Sequence, residues 1–158
     1  MKFGLISDTH DHLPESAVKA LKNSDLIIHA GDIGNEKILK RLGDVAPVKA
    51  VYGNTDIYSI ASILPSRLCL KYEGITIHVQ HNIGNIKNFI WKMKRGDIED
   101  KPGLVVFGHT HHPYFQQFDK CWFANPGSAG IPRGGVLPTV MLLEIKEGRI
   151  INHQIIKL

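Results

Sequence analysis

Cysteine is scarce in this chain of 158 residues: Cys69 and Cys121 stand far apart, with no Cys-x-x-Cys spacing. A disulfide framework or a thiolate zinc motif is not expected, and both thiols read as reduced packing residues. No apolar run approaches the roughly 20 residues that a membrane-spanning helix needs. One Lys and five non-polar residues precede Ser7 and Asp8, so no secretory leader is expected. A cytoplasmic protein with no membrane attachment is the expectation. Internal repeats, linkers and low-complexity tracts are missing too. At 43% hydrophobic and 22% charged the composition is that of an ordinary globular chain, so one domain over residues 1–158 is expected. The net charge of +4 fits a phosphate-bearing ligand and a merely basic surface equally well. Histidine, by contrast, is plentiful, with nine residues.

Phe3-Gly4-Leu5-Ile6 is an unbroken apolar strand that runs into Ser7-Asp8-Thr9-His10-Asp11-His12. Pro14 suits the first turn of a helix with Ala17, Val18 and Leu21 inward. A second strand, Leu26 to Ala30, ends at Gly31-Asp32. Asn35 is placed to cap a helix that points Ile38, Leu39 and Leu42 inward, with Gly43 past its end. A third strand, Val48 to Tyr52, delivers Gly53-Asn54-Thr55-Asp56. This β-α-β-α-β order predicts a parallel sheet. Next come a hairpin, Leu68–Tyr72 with Ile75–Gln80, that ends at His81, and a helix over Ile86 to Arg95. Leu104–Phe107 reads as a buried strand leading into Gly108-His109-Thr110-His111-His112-Pro113. A hairpin around Asp119-Lys120, the block Asn125-Pro126-Gly127-Ser128 and two strands hinged at Glu147-Gly148 follow. A two-sheet α/β sandwich is the economical architecture.

Ligands bind beyond the carboxyl ends of parallel strands. The residues gathered at those ends are Asp8, His10, Asp32, Asn54, His81, His109 and His111. Singly, each has a bland reading: Asp8 and Asp32 as turn or cap residues, Asn54 as a left-handed turn residue. Together, seven nitrogen and oxygen donors suit two divalent cations sharing a central carboxylate, with Mn, Fe, Co, Ni or Zn favoured over Mg or Ca. Such a pair, roughly 3.5–4 Å apart, could share a hydroxide whose pKa falls toward neutrality. The two-residue spacing of His109 and His111 would put both rings on one face of an extended segment.

Asp8-Thr9-His10, Gly31-Asp32, Gly53-Asn54, His81 and Gly108-His109-Thr110-His111 resemble, in order and spacing, the five signature blocks of the calcineurin-like metallophosphoesterase superfamily. Compact length and Asn125-Pro126-Gly127-Ser128 resemble its small prokaryotic phosphodiesterase branch, akin in fold to the retromer scaffold subunit. The resemblance implies a four-layer αββα sandwich of two mixed β-sheets flanked by helices. It implies one metal on Asp8, His10 and His111, a second on Asn54, His81 and His109, and Asp32 as bridge. It also implies two divalent transition-metal ions, Mn first, with Ni, Fe, Co or Zn alternatives, and hydrolysis of a small phosphodiester or nucleotide by a metal-bridging hydroxide. A phosphomonoesterase or dinucleotide polyphosphate hydrolase is the alternative within enzymes, and a non-catalytic metal-binding scaffold the alternative of another class. A nuclease's extra capping domain does not fit this length, so stable nucleic-acid binding is not expected.

The chain departs from the superfamily's pattern at two positions. Thr55 stands where many members carry a His that could protonate the leaving alkoxide, so acidic leaving groups or a stand-in acid such as His112 are implied. Asn82 stands where Gly is common. Asp32, Asn54, His109 and His112 are thus the catalytic candidates, and Asn54, Arg133 and His12 the phosphate contacts. His12, His112 and Arg133 read equally as solvated surface residues. His29, His78 and His153 read as satisfied core histidines. Trp91, among Lys87, Lys94 and Arg95 on the outer helix face, is read as a solvated face, with a homo-oligomer contact or substrate lid as the rival.

Overall fold

The computed structural model describes residues 1–98, 100–130 and 135–158. Strands β1 (Lys2–Ile6), β2 (Leu26–His29) and β3 (Val48–Ala50) run parallel, joined by helices α1 (Glu15–Leu21) and α2 (Glu36–Gly43). Their near-continuous apolar character is that of strands covered on both faces. Phe3 and Leu5 point into a core shared with the second sheet. Ile6 and Ile27 point the other way, onto Leu21 of α1 and Leu42 of α2. Asn35 caps α2 by accepting from the Lys37 N–H at 3.0 Å. Pro14 stands at the N-cap of α1, and Gly43 is the last residue of α2 rather than the first beyond it.

Chain order does not reveal how this sheet is completed. Strand β9 (Thr139–Lys146) lies antiparallel beside β1, with Leu5 opposite Met141, and β10 (Arg149–Lys157) pairs on β9. The order β10-β9-β1-β2-β3 therefore makes β1 the central strand of a mixed sheet.

The second sheet has the order β4-β5-β6-β8-β7. Both predicted hairpins are present. One joins β4 (Arg67–Tyr72) to β5 (Ile75–Gln80), and the other joins β7 (Tyr114–Phe118) to β8 (Cys121–Asn125). Strand β6 (Leu104–Val106) lies parallel to β5 and β8. Helix α4 (Ile86–Arg95) covers the outer face through Phe89, packed on Val105, Phe107 and Phe123. Ile77, Val79, Leu104 and Val106 meet β1 and β9 across the middle. The result is the four-layer αββα sandwich, two mixed sheets flanked by helices.

Three local features differ from the sequence reading. The third strand stops at Ala50, and a single helical turn, α3 (Tyr58–Ala61), follows it. Four residues carry no periodicity from which a helix could be read. His153 is exposed, because β10 is an edge strand, and its ring stacks on Phe115 with centroids 4.2 Å apart. It is therefore not a core histidine. His78 and His29 are buried as expected.

His29 shows how a buried imidazole is satisfied. Its Nδ1 accepts the Gly31 N–H at 3.2 Å, so the ring proton sits on Nε2, which faces Thr9 Oγ1 at 3.0 Å. That hydroxyl donates onward to the Ile33 carbonyl at 2.9 Å. Burial, reinforced by the positive charge of His81, pulls the His29 pKa down to about 3. The folded state thus excludes a proton that the unfolded chain binds below about pH 6.5. Stability should fall as pH drops from about 6.5 toward 3, at up to about 1.4 kcal/mol per pH unit from this residue. Urea midpoints at pH 7.5 and 5.0 should show a smaller acid loss in His29→Gln than in the parent. Equal losses would remove His29 from the acid limb.

Candidate metal centre

The loops that leave β1, β2, β3, β5 and β6 at their carboxyl ends converge on one point, and the loop after β8 braces them. The Asp8 and His10 N–H groups donate to the Gly31 and Asp32 carbonyls, each at 3.0 Å, zipping the first loop to the second. Gly108 N–H donates to the His81 carbonyl at 3.0 Å, which joins the loops after β5 and β6. From the far side, Ser128 Oγ donates to the Asp8 carbonyl at 3.0 Å.

This bracing holds an unusual backbone. Asp8, His10, Asp32, His109 and His111 have φ of +55°, +44°, +54°, +68° and +60°. Non-glycine residues rarely adopt that region, and each instance costs on the order of 1 kcal/mol or more. Five of seven candidate ligands sharing it indicates that side-chain aim, not backbone comfort, sets the loops. It also corrects the sequence reading of His109 and His111. Their segment is not extended, and the two rings diverge to different neighbours.

Two groups of donors result. Asp8 Oδ1 lies 3.2 Å from His111 Nε2 and 4.0 Å from His10 Nε2, and the His10 and His111 rings are 5.4 Å apart. On the other side, Asn54 Oδ1 lies 3.1 Å from His81 Nε2 and 2.9 Å from His109 Nδ1. Asp32 stands between the groups. Its Oδ2 is 3.4 Å from His81 Nε2 and 3.8 Å from His10 Nε2. Ligand atoms of Asp8, Asp32 and His81 also lie within 4.8 Å of one another, so Asp8 reaches both sides. Asp8, Asp32 and His81 form a buried floor, His10 and His111 are half-buried, and Asn54 and His109 are exposed at the rim.

The donor chemistry fits a cation. His81 Nδ1 faces the Ala30 carbonyl at 2.8 Å, and only an N–H can donate there. Its Nε2 therefore presents a lone pair to Asp32 Oδ2 and Asn54 Oδ1, both acceptors, unless a proton or a metal stands between them. Without a metal, the surroundings favour the proton. Burial lowers the His81 pKa, but the hydrogen bond to Asp32 and the charge of Asp8 outweigh it, and the net shift is upward. Burial likewise pushes Asp32 up, yet the His81 and Thr55 hydrogen bonds hold its carboxyl well below the usual range. Asp8 is raised, by burial first. Its Oδ1 accepts no hydrogen bond among the described residues, although it is fully buried.

Residues outside the seven donors hold these side chains in place. Thr55 N–H donates to Asp32 Oδ1 at 2.9 Å, and Thr55 Oγ1 lies 3.4 Å from His10 Nδ1. Read from the sequence, Thr55 was only the site of a missing acid. Asp56 accepts backbone N–H groups from Ile33, Gly34 and Gly53 at 2.8, 2.8 and 2.7 Å, clamping the β2 and β3 loops together. A Cβ added at Gly53 would collide with Asp32 Oδ1, so only glycine lets the chain pass so close to the carboxylate.

Asn125 is fully buried. Its Nδ2 donates to the Gly108 carbonyl at 2.8 Å and to Thr110 Oγ1 at 3.0 Å, and its Oδ1 accepts the Gly127 N–H at 2.8 Å. The sequence marked this block without giving it a task. Asn125→Ala should strand two buried polar groups, the Gly108 carbonyl and the Gly127 N–H, lowering stability by about 3 kcal/mol. It should also weaken Mn²⁺ binding about 10- to 100-fold, the usual cost of losing a residue that orients ligands. Calorimetric titration and thermal unfolding check both, and Mn²⁺ affinity unchanged in a folded variant would deny Asn125 its positioning role.

Two predicted contacts stay outside this geometry. His12 is exposed, and no contact joins its ring to the seven donors among the described residues. His112 is exposed, with Nδ1 bonded to its neighbour's Thr110 carbonyl at 2.6 Å. Arg133 lies outside the described residues. Trp91 is 54% exposed, with the Arg95 guanidinium 4.4 Å from its ring centroid. That contact is internal to α4.

Carboxylates and imidazoles gathered at the carboxyl edges of two facing sheets make a candidate metal site on an α/β fold. Comparison with known proteins narrows this: residues 1–148 match the calcineurin-like phosphoesterase superfamily domain. A protein of Methanothermobacter thermautotrophicus named probable metallophosphoesterase is 32% identical over 162 residues, covering 99% of this chain and 92% of its own. A solved archaeal phosphodiesterase superposes with a TM-score of 0.80 at 26% identity, covering 100% of both chains. Vps29 of Entamoeba histolytica, solved with zinc, has a TM-score of 0.80 at 20% identity, covering 100% of this chain and 98% of its own, a likeness of fold. The chain belongs to the calcineurin-like phosphoesterase superfamily, a family of metal-binding phosphoesterases.

Proposed function

We propose that the chain hydrolyses a small phosphodiester or a nucleotide at a two-metal centre, with Asp32 as the shared ligand. The supporting observation is the position of Asp32 Oδ2 between His81 Nε2 at 3.4 Å and His10 Nε2 at 3.8 Å. Asp8, His10 and His111 would hold one cation, and Asn54, His81 and His109 the other. Such a pair, Mn²⁺ first by donor type, supplies a water-derived nucleophile at neutral pH and neutralises charge on the phosphoryl oxygens.

The protein's own contribution is placement. Asn54 turns Oδ1 toward His81 and His109, which leaves its Nδ2 hydrogens at the exposed rim to donate to a phosphoryl oxygen. Thr55 N–H fixes the carboxylate plane of Asp32. A threonine hydroxyl cannot deliver a proton near neutral pH, so leaving groups that depart as stable anions are favoured. Among the described residues His112 is the remaining exposed imidazole on the β6 loop. Nδ1–H on the Thr110 carbonyl would leave the lone pair on its Nε2.

Hydrolysis of bis(p-nitrophenyl) phosphate should be stimulated by Mn²⁺, abolished by a chelator, and faster than that of p-nitrophenyl phosphate. A faster monoester would shift the assignment to a phosphomonoesterase. No turnover with Mn²⁺, Ni²⁺, Mg²⁺ or Zn²⁺, despite stoichiometric binding, would favour the scaffold reading.

A further inference from the structure

The edge of the second sheet opposite the metal centre carries two adjoining clefts. One, of about 520 Å³, lies between α4, the entry to β6 and the β7–β8 hairpin. Ile90, Met93, Pro102, Phe118 and Cys121 give it apolar walls. The other, of about 390 Å³, is polar and includes Gln117, Trp122 and Arg149. The two share Lys101, Gly103 and Lys120, so an apolar trough opens directly onto a cationic one.

The charges are unbalanced. Lys94 is paired with Asp119 at 3.0 Å. Among the described residues, Lys101, Lys120 and Arg149 have no carboxylate within ion-pairing distance. Cys121 adds no charge of its own, since burial pushes its thiol up to about 12. Among the described residues, two cations at the mouth of the apolar cleft and a third in the polar one therefore lack an anion. Clefts of roughly 300–1,000 Å³ with apolar walls and a few convergent polar groups are the usual form of small-molecule sites.

We propose that this double cleft binds an elongated amphipathic anion, an acyl or alkyl chain ending in a carboxylate or phosphate. The chain lies against Met93 and Phe118, and the head group sits between Lys101, Lys120 and Arg149. Strand β6 separates the site from His109 by roughly 17 Å, at about 3.3 Å per residue from Gly103 to Gly108. The site is therefore distinct from the metal centre and does not rest on the reading of it. A second copy of the chain is a weaker fit, because the trough is concave and, among the described residues, the charges left unpaired along it are positive.

The test is calorimetric titration of the whole protein with decanoate, decyl phosphate, decyltrimethylammonium and acetate. Decanoate or decyl phosphate should bind one per chain, at least tenfold tighter than the cation of equal tail length, and acetate should not bind measurably. Whichever head group binds tighter names the source. Lys101→Glu with Lys120→Glu should weaken anion binding at least tenfold while leaving Mn²⁺ affinity unchanged. Trp91→Phe leaves Trp122 as the sole indole, and its emission should be quenched saturably by a bromine-tagged acid. Equal binding of anion and cation would overturn the proposal, as would indifference to the charge reversal. Concentration-dependent dimerisation lost in the same variant, with no binding of either anion, would assign the cleft to a second copy instead.

Discussion

Asp32→Ala should reduce Mn²⁺-dependent phosphodiester hydrolysis on the order of 10³-fold or more, because it removes the one ligand proposed to serve both cations. The argument is local. Asp32 Oδ2 faces His81 on one side and His10 on the other, while Oδ1 is held by Thr55 N–H at 2.9 Å. The neighbouring carboxylate of Asp8 cannot shift into the vacated place with its backbone, which is tied through its N–H to Gly31 and its carbonyl to Ser128. Asp32→Asn separates charge from shape: it can still accept from Thr55 but cannot neutralise two cations. Both variants should bind fewer than two Mn²⁺ per chain, and Asp32→Asn should remain folded.

A stability effect in the metal-free protein accompanies this. The Asp32 carboxyl is held below the usual range, chiefly by His81 and Thr55 working against burial. A depressed carboxylate pKa stabilises the fold at pH values above the unfolded value and loses that contribution as pH falls through the folded one. Asp32→Asn should therefore lower the metal-free stability at pH 7 and change it less in strong acid. Turnover within tenfold of the parent in either variant would sink the shared-carboxylate reading, whatever happens to stability.

Much of this arrangement is legible in the sequence. A parallel sheet delivers its loops to one edge, so strand order alone brought Asp8, Asp32 and Asn54 together. His81 and His109 were read as strand-end residues, and the parallel pairing of β5 and β6 that brings them to one edge appears only in the fold. Depth was not legible. Nothing in Gly-His-Thr-His marks His111 as half-buried beside Asp8 and His109 as exposed beside Asn54. That difference comes from backbone in the left-handed region at both residues, held by Asn125. The clamp of Asp56 on Ile33 and Gly34 was hidden for a related reason, since it joins residues 23 and 22 positions apart. His153 was misread because the pairing of β10 on β9, which leaves it on an edge, depends on β9 inserting beside β1.

Thr55→His should raise hydrolysis of a diester with an alkoxide leaving group about 10²-fold, the lower range of what a positioned general acid contributes. The site tolerates the change. Thr55 is exposed, and its essential bond to Asp32 is made by the backbone N–H, which any residue but proline retains. What is lost is the contact between Thr55 Oγ1 and His10 Nδ1, which at 3.4 Å is long and weak. An imidazole with a pKa of about 6.5 would be half-protonated near neutrality, where a hydroxyl would not titrate at all. The gain should therefore be confined to poor leaving groups. A p-nitrophenyl ester, whose phenolate departs without help, should change less than about threefold. The alkyl ester should also acquire a falling limb in its pH–rate profile as the new imidazole loses its proton. Thr55→Val controls for the lost hydroxyl, and weakened Mn²⁺ binding there would show that Thr55 positions His10. An equal gain on both esters, or none on either, would mean that proton delivery to the leaving group does not limit this site.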